Sequence, residues 1–308
     1  VSGFRIAGWG HALPEGRVTN AELATRLDTD DKWIRERTGI VERRVGGTTV
    51  ELATAACEAA LRRRTGTAAQ VDQLILATST PDRLIPGSAS TVAGRLGLRC
   101  GTTDMNAACA GFVHALAAAQ GYLHLGAGAV LVVGADALSP WTDPDNRGTA
   151  ILFADGAGAL VLEAGGGGSL LGWHAASDPA AESVLYCDHG GLIQMEGQAV
   201  FKLAVRAAVD SVETTLDRAE LKAGDLDLLV AHQANQRITD AIARRLGMEP
   251  ARVVSTLSYT GNSSAATVPT ALSIAADDGR LREGAHAMLV GFGAGMTWAS
   301  VVLRWATT

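Results

Sequence analysis

Cysteine is scarce in this chain, with four in 308 residues, Cys57, Cys100, Cys109 and Cys187, and no CxxC pair among them. Neither a structural metal nor a disulfide framework is expected, and a reducing cytoplasm is the simplest compartment. Positive charge is in deficit as well. A formal net charge of −6 argues against a nucleic-acid partner, because affinity there rests on neutralising phosphates. The stretch Val1 to Gly10 carries only Arg5 and no long apolar block, so neither a secretory signal nor membrane insertion is expected. Gly291-x-Gly293-x-Gly295 lacks a following helix and an acidic residue about twenty positions on, which makes it a poor dinucleotide fingerprint. Asp155-Gly156-Ala157-Gly158 reads as a turn between strands.

An apolar fraction of 47% is ample for a substantial core. Short β-rich runs alternate with Ala-rich helical stretches, the pattern of an α/β protein with buried sheets. Strands are expected at 74–78, 129–134, 150–153, 159–163, 226–231, 287–291 and 300–304. Helices are expected at 50–65, 110–125, 201–217 and 236–246. Sliding the second half onto the first superposes the run Val71 to Ala77 on Asp225 to Ala231, and Gly128 to Gly134 on Gly284 to Val290. The same shift brings Cys109 close to Asn262, so each would open the central helix of its half. Such an offset fits a duplicated domain rather than a solenoid. The glycine run Gly165 to Gly168 marks the seam, giving halves 1–165 and 166–308.

Three polar residues stand out against this apolar background. Cys109 lies where an extended segment gives way to a helix, and unpaired amides at a helix start favour a thiolate. Alone, such a cysteine is more often inert packing. His232 ends the strand-like run Leu228 to Ala231, and Asn262 precedes the small-residue stretch Ser263 to Thr267. Alone, the histidine reads as structural and the asparagine as a helix cap. A nucleophilic thiol would accept an acyl group from a thioester, since that exchange preserves an activated carbonyl. An imidazole N–H and a carboxamide NH2 could then hold the enolate left when a malonyl thioester loses CO2.

In order and spacing, Cys109, His232 and Asn262 resemble the triad of the β-ketoacyl-acyl-carrier-protein synthase III family, condensing enzymes of the thiolase superfamily. The resemblance runs from about Ile6 to Trp305. It implies an α/β fold of two duplicated halves stacked as a five-layer αβαβα sandwich. It also implies an acyltransferase that loads an acyl-coenzyme A primer on Cys109 and condenses it with malonyl-acyl carrier protein, initiating fatty-acid or polyketide synthesis without a cofactor. The amides of Cys109 and Ala294 would form the oxyanion hole. Trp33, Arg37, Arg147, Gly148, Gly197, Phe201 and Asn235 would bind coenzyme A and its pantetheine arm. Arg237, Arg244 and Arg245 would dock the acidic carrier protein. Ile85, contributed by the neighbouring subunit of a homodimer, and Phe292 would bound the acyl pocket. Phe292 also stands where thiolases carry a second cysteine, which favours decarboxylative condensation over reversible cleavage.

Three departures bear on specificity. Ile85 replaces the phenylalanine of acetyl-specific members, so propionyl, butyryl or branched primers are expected. Gln198 stands where an asparagine often meets the coenzyme A arm, and Ser177 to Leu192 is shorter than usual for the family. Those features also suit a starter-unit synthase or an acyltransferase serving an alcohol or amine. A non-catalytic partner of another synthase and a cysteine hydrolase are the readings the intact triad disfavours.

Overall fold

Alternating buried strands and small-residue helices build two stacked sheets with the same strand order. The computed structural model describes residues 3–64 and 70–308, so Thr65, the expected end of one helix, lies outside the described residues. The first sheet runs Phe4–Ala12, Asp155–Ala164, Ala129–Ala137, Gln73–Ala77 and Gly101–Met105. Its first two pairings are antiparallel and its last two parallel. The second sheet runs Ser169–Ser177, Thr297–Arg304, His286–Gly293 and Leu228–Ala231, again antiparallel, antiparallel, then parallel. A lone parallel bridge from Leu229 to Val253 continues it where the first sheet has its fifth strand.

Helices Gly111–His124 and Thr267–Asp277 lie between the sheets and pack on both. Helices Thr49–Arg62 and Ser88–Arg95 cover the outer face of the first sheet, and Gly197–Ala219 with Gln236–Arg245 cover the second. The result is the expected five-layer αβαβα sandwich. Covering both faces explains why every residue of Ala129–Ala137 is buried and why residues 129–135 read as an unbroken apolar run.

Two local expectations fail, each for a packing reason. Residues 150–153 are not a strand: helix Arg147–Ala150 runs into a turn, and Phe153 makes only an isolated bridge to Asn262. Their apolar character serves burial beside the site rather than a sheet. Conversely, Asp155 to Gly158 begins the strand Asp155–Ala164 instead of forming a turn. Its glycines admit the central helix layer. A Cβ at Gly158 would stand 2.4 Å from the Thr270 amide nitrogen, and one at Gly156 would stand 3.3 Å from Ser263 Oγ.

Candidate active site

The first sheet ends toward Cys109 in a sharp turn. Asn106 Oδ1 accepts from the Ala108 amide at 3.1 Å and from Ser79 Oγ at 3.1 Å, and Ala108 adopts φ of +47° before helix Gly111–His124 begins. A non-glycine residue in that region is costly, and the short side chain of alanine limits the clash. The turn is closed from the other half by strand His286–Gly293. A Cβ at Gly291 would lie 2.7 Å from Ala110 Cα, and one at Gly293 would lie 2.7 Å from the Cys109 nitrogen. The strand therefore touches the Cys109 backbone only because both residues are glycine. Ala294 follows directly. Among the described residues neither the Cys109 nor the Ala294 amide donates to another residue of the chain, so both stay available to an incoming oxyanion.

Asn262 is held by the opposite half. Its backbone amide donates to the Leu152 carbonyl at 2.9 Å, and its carbonyl accepts from the Ala154 amide at 2.9 Å. Gly261 supplies the bend at φ +74°, where a Cβ would press to 2.7 Å on Ala154 Cβ. Beneath it the buried Arg43 guanidinium donates twice to the Ile151 carbonyl, at 2.9 and 2.7 Å. Asn262 Oδ1 accepts from the Ser264 amide at 2.9 Å, which leaves the Nδ2 donors for a ligand.

His232 is buried, and its ring meets Phe292 edge-on with centroids 5.2 Å apart. Its Nδ1 lies 2.6 Å from Thr267 Oγ1, which in turn donates to the Ser264 carbonyl at 2.9 Å. In that arrangement Nδ1 carries the proton and Nε2 is an acceptor. Turning the Thr267 hydroxyl onto Nδ1 would instead make Nε2–H a donor. Burial holds the ring pKa down at about 3, so the imidazolium is not the source of that donor. Thr267→Val is expected to slow malonyl decarboxylation about tenfold while Thr267→Ser retains it, as a CO2-release assay would show.

The expected thiolate at the helix start is not the resting state. Burial pushes the Cys109 thiol up to about 12, against the stabilising hydroxyl of Ser264, and the Asp136 charge adds to the rise. Two or three helical amides do not offset full desolvation. A raised value means the thiol dominates throughout neutral pH. Alkylation of Cys109 by iodoacetamide, read by peptide mass, should therefore accelerate about tenfold per pH unit from pH 7 to 9. A flat profile would contradict the buried-thiol assignment.

Cys109 and Ala294 open onto a cavity of about 550 Å³. Leu138, Trp141, Phe153, Leu185 and Ile193 line its apolar part, and Cys187, Asp188 and His189 its polar part. Phe292 is not on this wall. It packs behind His232 in the second-half core, because its strand turns that side chain toward Met288 and Val290. Ile85, 83% exposed, does not line the cavity, whereas Leu84 does.

A second group of expected residues gathers nearby without lining that cavity. Arg147 and Arg37 lie over the Trp33 ring at 4.8 and 5.5 Å from its centroid. Arg147 also donates to the Asp28 carbonyl at 2.6 Å. Asn235 donates to the Arg37 carbonyl at 2.9 Å and caps helix Gln236–Arg245, and Arg237 lies 5.4 Å over Phe201. The Gly148 amide donates to Asn146 Oδ1 at 2.8 Å in the short helix Arg147–Ala150, and Gly197 begins helix Gly197–Ala219. Arg244 and Arg245 sit apart, lining a cleft of about 400 Å³ with Lys202 and Arg206.

The 3-oxoacyl-[acyl-carrier-protein] synthase III family model matches residues 103–179, and the model of its C-terminal part matches residues 216–305. The chain is 43% identical to the β-ketoacyl-[acyl-carrier-protein] synthase III of Rhizobium rhizogenes, over 97% of this chain and 98% of the relative. The Agrobacterium fabrum protein of the same name is 44% identical over the same shares. This chain belongs to the 3-oxoacyl-[acyl-carrier-protein] synthase III family. The crystal structure of the Aquifex aeolicus synthase III superposes with a TM-score of 0.96 at 37% identity, covering 98% of this chain and 100% of that one. A priming β-ketosynthase from the R1128 polyketide pathway superposes at 0.93 with 33% identity, covering 100% and 98%. The protein is thus an acyl-transferring condensing enzyme of the synthase III type.

Within this synthase III, sequence reasoning missed Asp136, Ser264 and Thr267. Asp136 is wholly buried at the end of strand Ala129–Ala137 and accepts from Ser79, Thr80, Thr78 and Ala265. An acidic residue closing an otherwise apolar strand was the available signal. Ser264 and Thr267 lie within the stretch already singled out for Asn262, and nothing in their spacing separates them from cap residues.

Proposed function

We propose that Cys109 takes an acyl group from acyl-coenzyme A and that His232 and Asn262 hold the enolate of malonyl-acyl carrier protein as it loses CO2. The carbanion then attacks the Cys109 thioester and yields a β-ketoacyl-acyl carrier protein. Half 1–165 carries the nucleophile and half 166–308 the enolate pair. The observation that carries this reading is a cavity lined together by Cys109, Ala294 and Ser264, with the Cys109 and Ala294 amides uncommitted and the Ser264 amide bonded to the Asn262 carboxamide oxygen.

Trp33, Arg37 and Arg147 grip the adenine end of coenzyme A, with an arginine displaced from the indole face as the base enters. Trp33→Ala should raise KM for acyl-coenzyme A about tenfold, in line with about 1–3 kcal/mol per stacked base, with little change in kcat. Gly148, Gly197, Phe201 and Asn235 border the arm, and the arginines at 237, 244 and 245 meet the acidic carrier protein. The exposed Leu84 and Ile85 pair is covered by a second copy of the chain, whose own Ile85 closes the acyl pocket. No cofactor enters this chemistry, and the cytoplasm supplies both thioesters. Among the described residues no helix is long and apolar enough to cross a membrane.

The test is incubation with acetyl-, butyryl- and isobutyryl-coenzyme A, followed by intact mass and addition of malonyl-acyl carrier protein. Cys109 acylation with CO2 release and preference for the larger primers is the expected result. Acylation with no CO2 would instead indicate transfer to an alcohol or amine.

A further inference from the structure

A second cavity lies on the other side of Phe153 from the Cys109 cavity. It measures about 350 Å³, with apolar walls at Val18, Leu23, Val45, Pro144 and Ala150 and with Arg26 and Arg43 in its lining. Phe153 is the one residue that lines both cavities. An apolar recess of this size with a few convergent polar groups has the make-up of a small-molecule site.

Two arginines set the charge that an occupant must carry. Arg43 is 1% exposed, and its guanidinium donates only to neutral oxygens: the carbonyls of Ile151 and Val18 and the side-chain oxygen of Asn20. Those four bonds leave one of its five N–H groups without a partner among the described residues. Asp155, the buried acid bonded to the cavity residues Gly46 and Ser139, accepts their amides at 2.7 and 2.8 Å and the Ser139 hydroxyl at 2.6 Å, and it forms no ion pair with Arg43. A buried cation is costly until an anion meets it. Arg26 is exposed, and its side chain has no hydrogen-bond or ion-pair partner among the described residues. Two guanidinium groups without a carboxylate, beside apolar walls, suit a carboxylate carried on a short hydrocarbon chain.

We propose that this cavity binds a short-chain monocarboxylate, its head at Arg26 and Arg43 and its chain against Val18, Leu23 and Val45, and that the occupant braces Phe153 against the Cys109 cavity. Phe153 is buried and packs with Leu138 and Ile193, which also line the Cys109 cavity. A bulky primer gains room by pressing the Phe153 ring back toward the second cavity. With a hydrocarbon chain seated there, the same movement overpacks the wall. Acetyl needs no such room. The bracing rests on the acyl-transfer reading above, whereas the carboxylate site does not.

Octanoate is the probe. Titration calorimetry on the wild-type enzyme should show saturable octanoate binding, and none of acetate or 1-octanol, which lack the chain or the charge. Arg26→Ala should weaken octanoate about tenfold, the scale of one lost charge-assisted pair, and Val45→Trp, which fills the recess, should abolish binding. Unchanged affinity in both variants, or equal binding of 1-octanol, overturns the site. Its location is read on the wild type with a photoreactive diazirine analogue of octanoate. Labelled peptides should come from residues 18–46 or 139–150; labelling confined to 79–84 or 185–193 puts the acid in the Cys109 cavity and overturns the proposal. At saturating octanoate, acylation by isobutyryl-coenzyme A, followed by intact mass, should slow about tenfold while acylation by acetyl-coenzyme A keeps its rate. Equal slowing of both means competition for the coenzyme A site, no slowing of either means no bracing, and each result overturns the proposal. No mass gain with any acyl-coenzyme A would overturn the acyl-transfer reading and the bracing together, and the titration and labelling would still decide the carboxylate site.

Discussion

Cys109→Ser should lower turnover by about 10⁴-fold or more, the scale seen when a nucleophile is removed from a group that acts as a unit. Serine keeps the size of the side chain but not its chemistry. An alcohol in this dry turn has no adjacent general base, and an ester would be a poorer donor to a carbanion than the thioester it replaces. The variant should therefore show no mass gain with acyl-coenzyme A. Its Asn262 and His232 remain in place, so slow CO2 release from malonyl-acyl carrier protein should persist. Near-normal turnover in this variant would remove Cys109 from the reaction altogether.

Asn262→Ala is expected to cost about 10²–10³ in condensation, the usual effect of deleting one donor aimed at developing negative charge. The effect should fall on one half-reaction. Backbone bonds to Leu152 and Ala154 are untouched by the substitution, so the turn persists, and acyl-enzyme should still form at close to the normal rate. The measurement is stopped-flow or quenched acylation compared with CO2 release on the same enzyme. Equal loss in both steps would mean that Asn262 supports the cavity rather than the enolate. Because the Ser264 amide loses its acceptor in this variant, a drop in stability of about 1–3 kcal/mol is also expected.

The layers were legible because both sheets are buried on two faces, which makes their strands continuous apolar runs such as Ala129 to Gly134 and Leu228 to Ala231. Cys109, His232 and Asn262 were legible because polar residues with distinct chemistry interrupt small-residue stretches in a fixed order. What failed was local. Periodicity cannot tell that residues 150–153 are buried against the site rather than in a sheet, nor that the glycine at 158 marks contact with a helix instead of a turn. The thiolate expectation failed for a different reason: a helix start is visible in the chain, whereas the burial that keeps Cys109 protonated is created by strands far away in sequence. Asp136 shares that limit, since its partners at 78–80 and 265 converge on it only after folding.

The contact of Gly291 and Gly293 with the Cys109 turn also sets when in synthesis the surroundings of that residue are complete. A chain emerging from the ribosome presents residue 109 long before residues 286–304, and domains generally begin to fold from the leading part. Until that late strand arrives, Cys109 lacks the wall that Gly291 and Gly293 supply and the side of its cavity that Ala294 lines. The complete surroundings of Cys109 therefore appear only with the last segment of the second sheet.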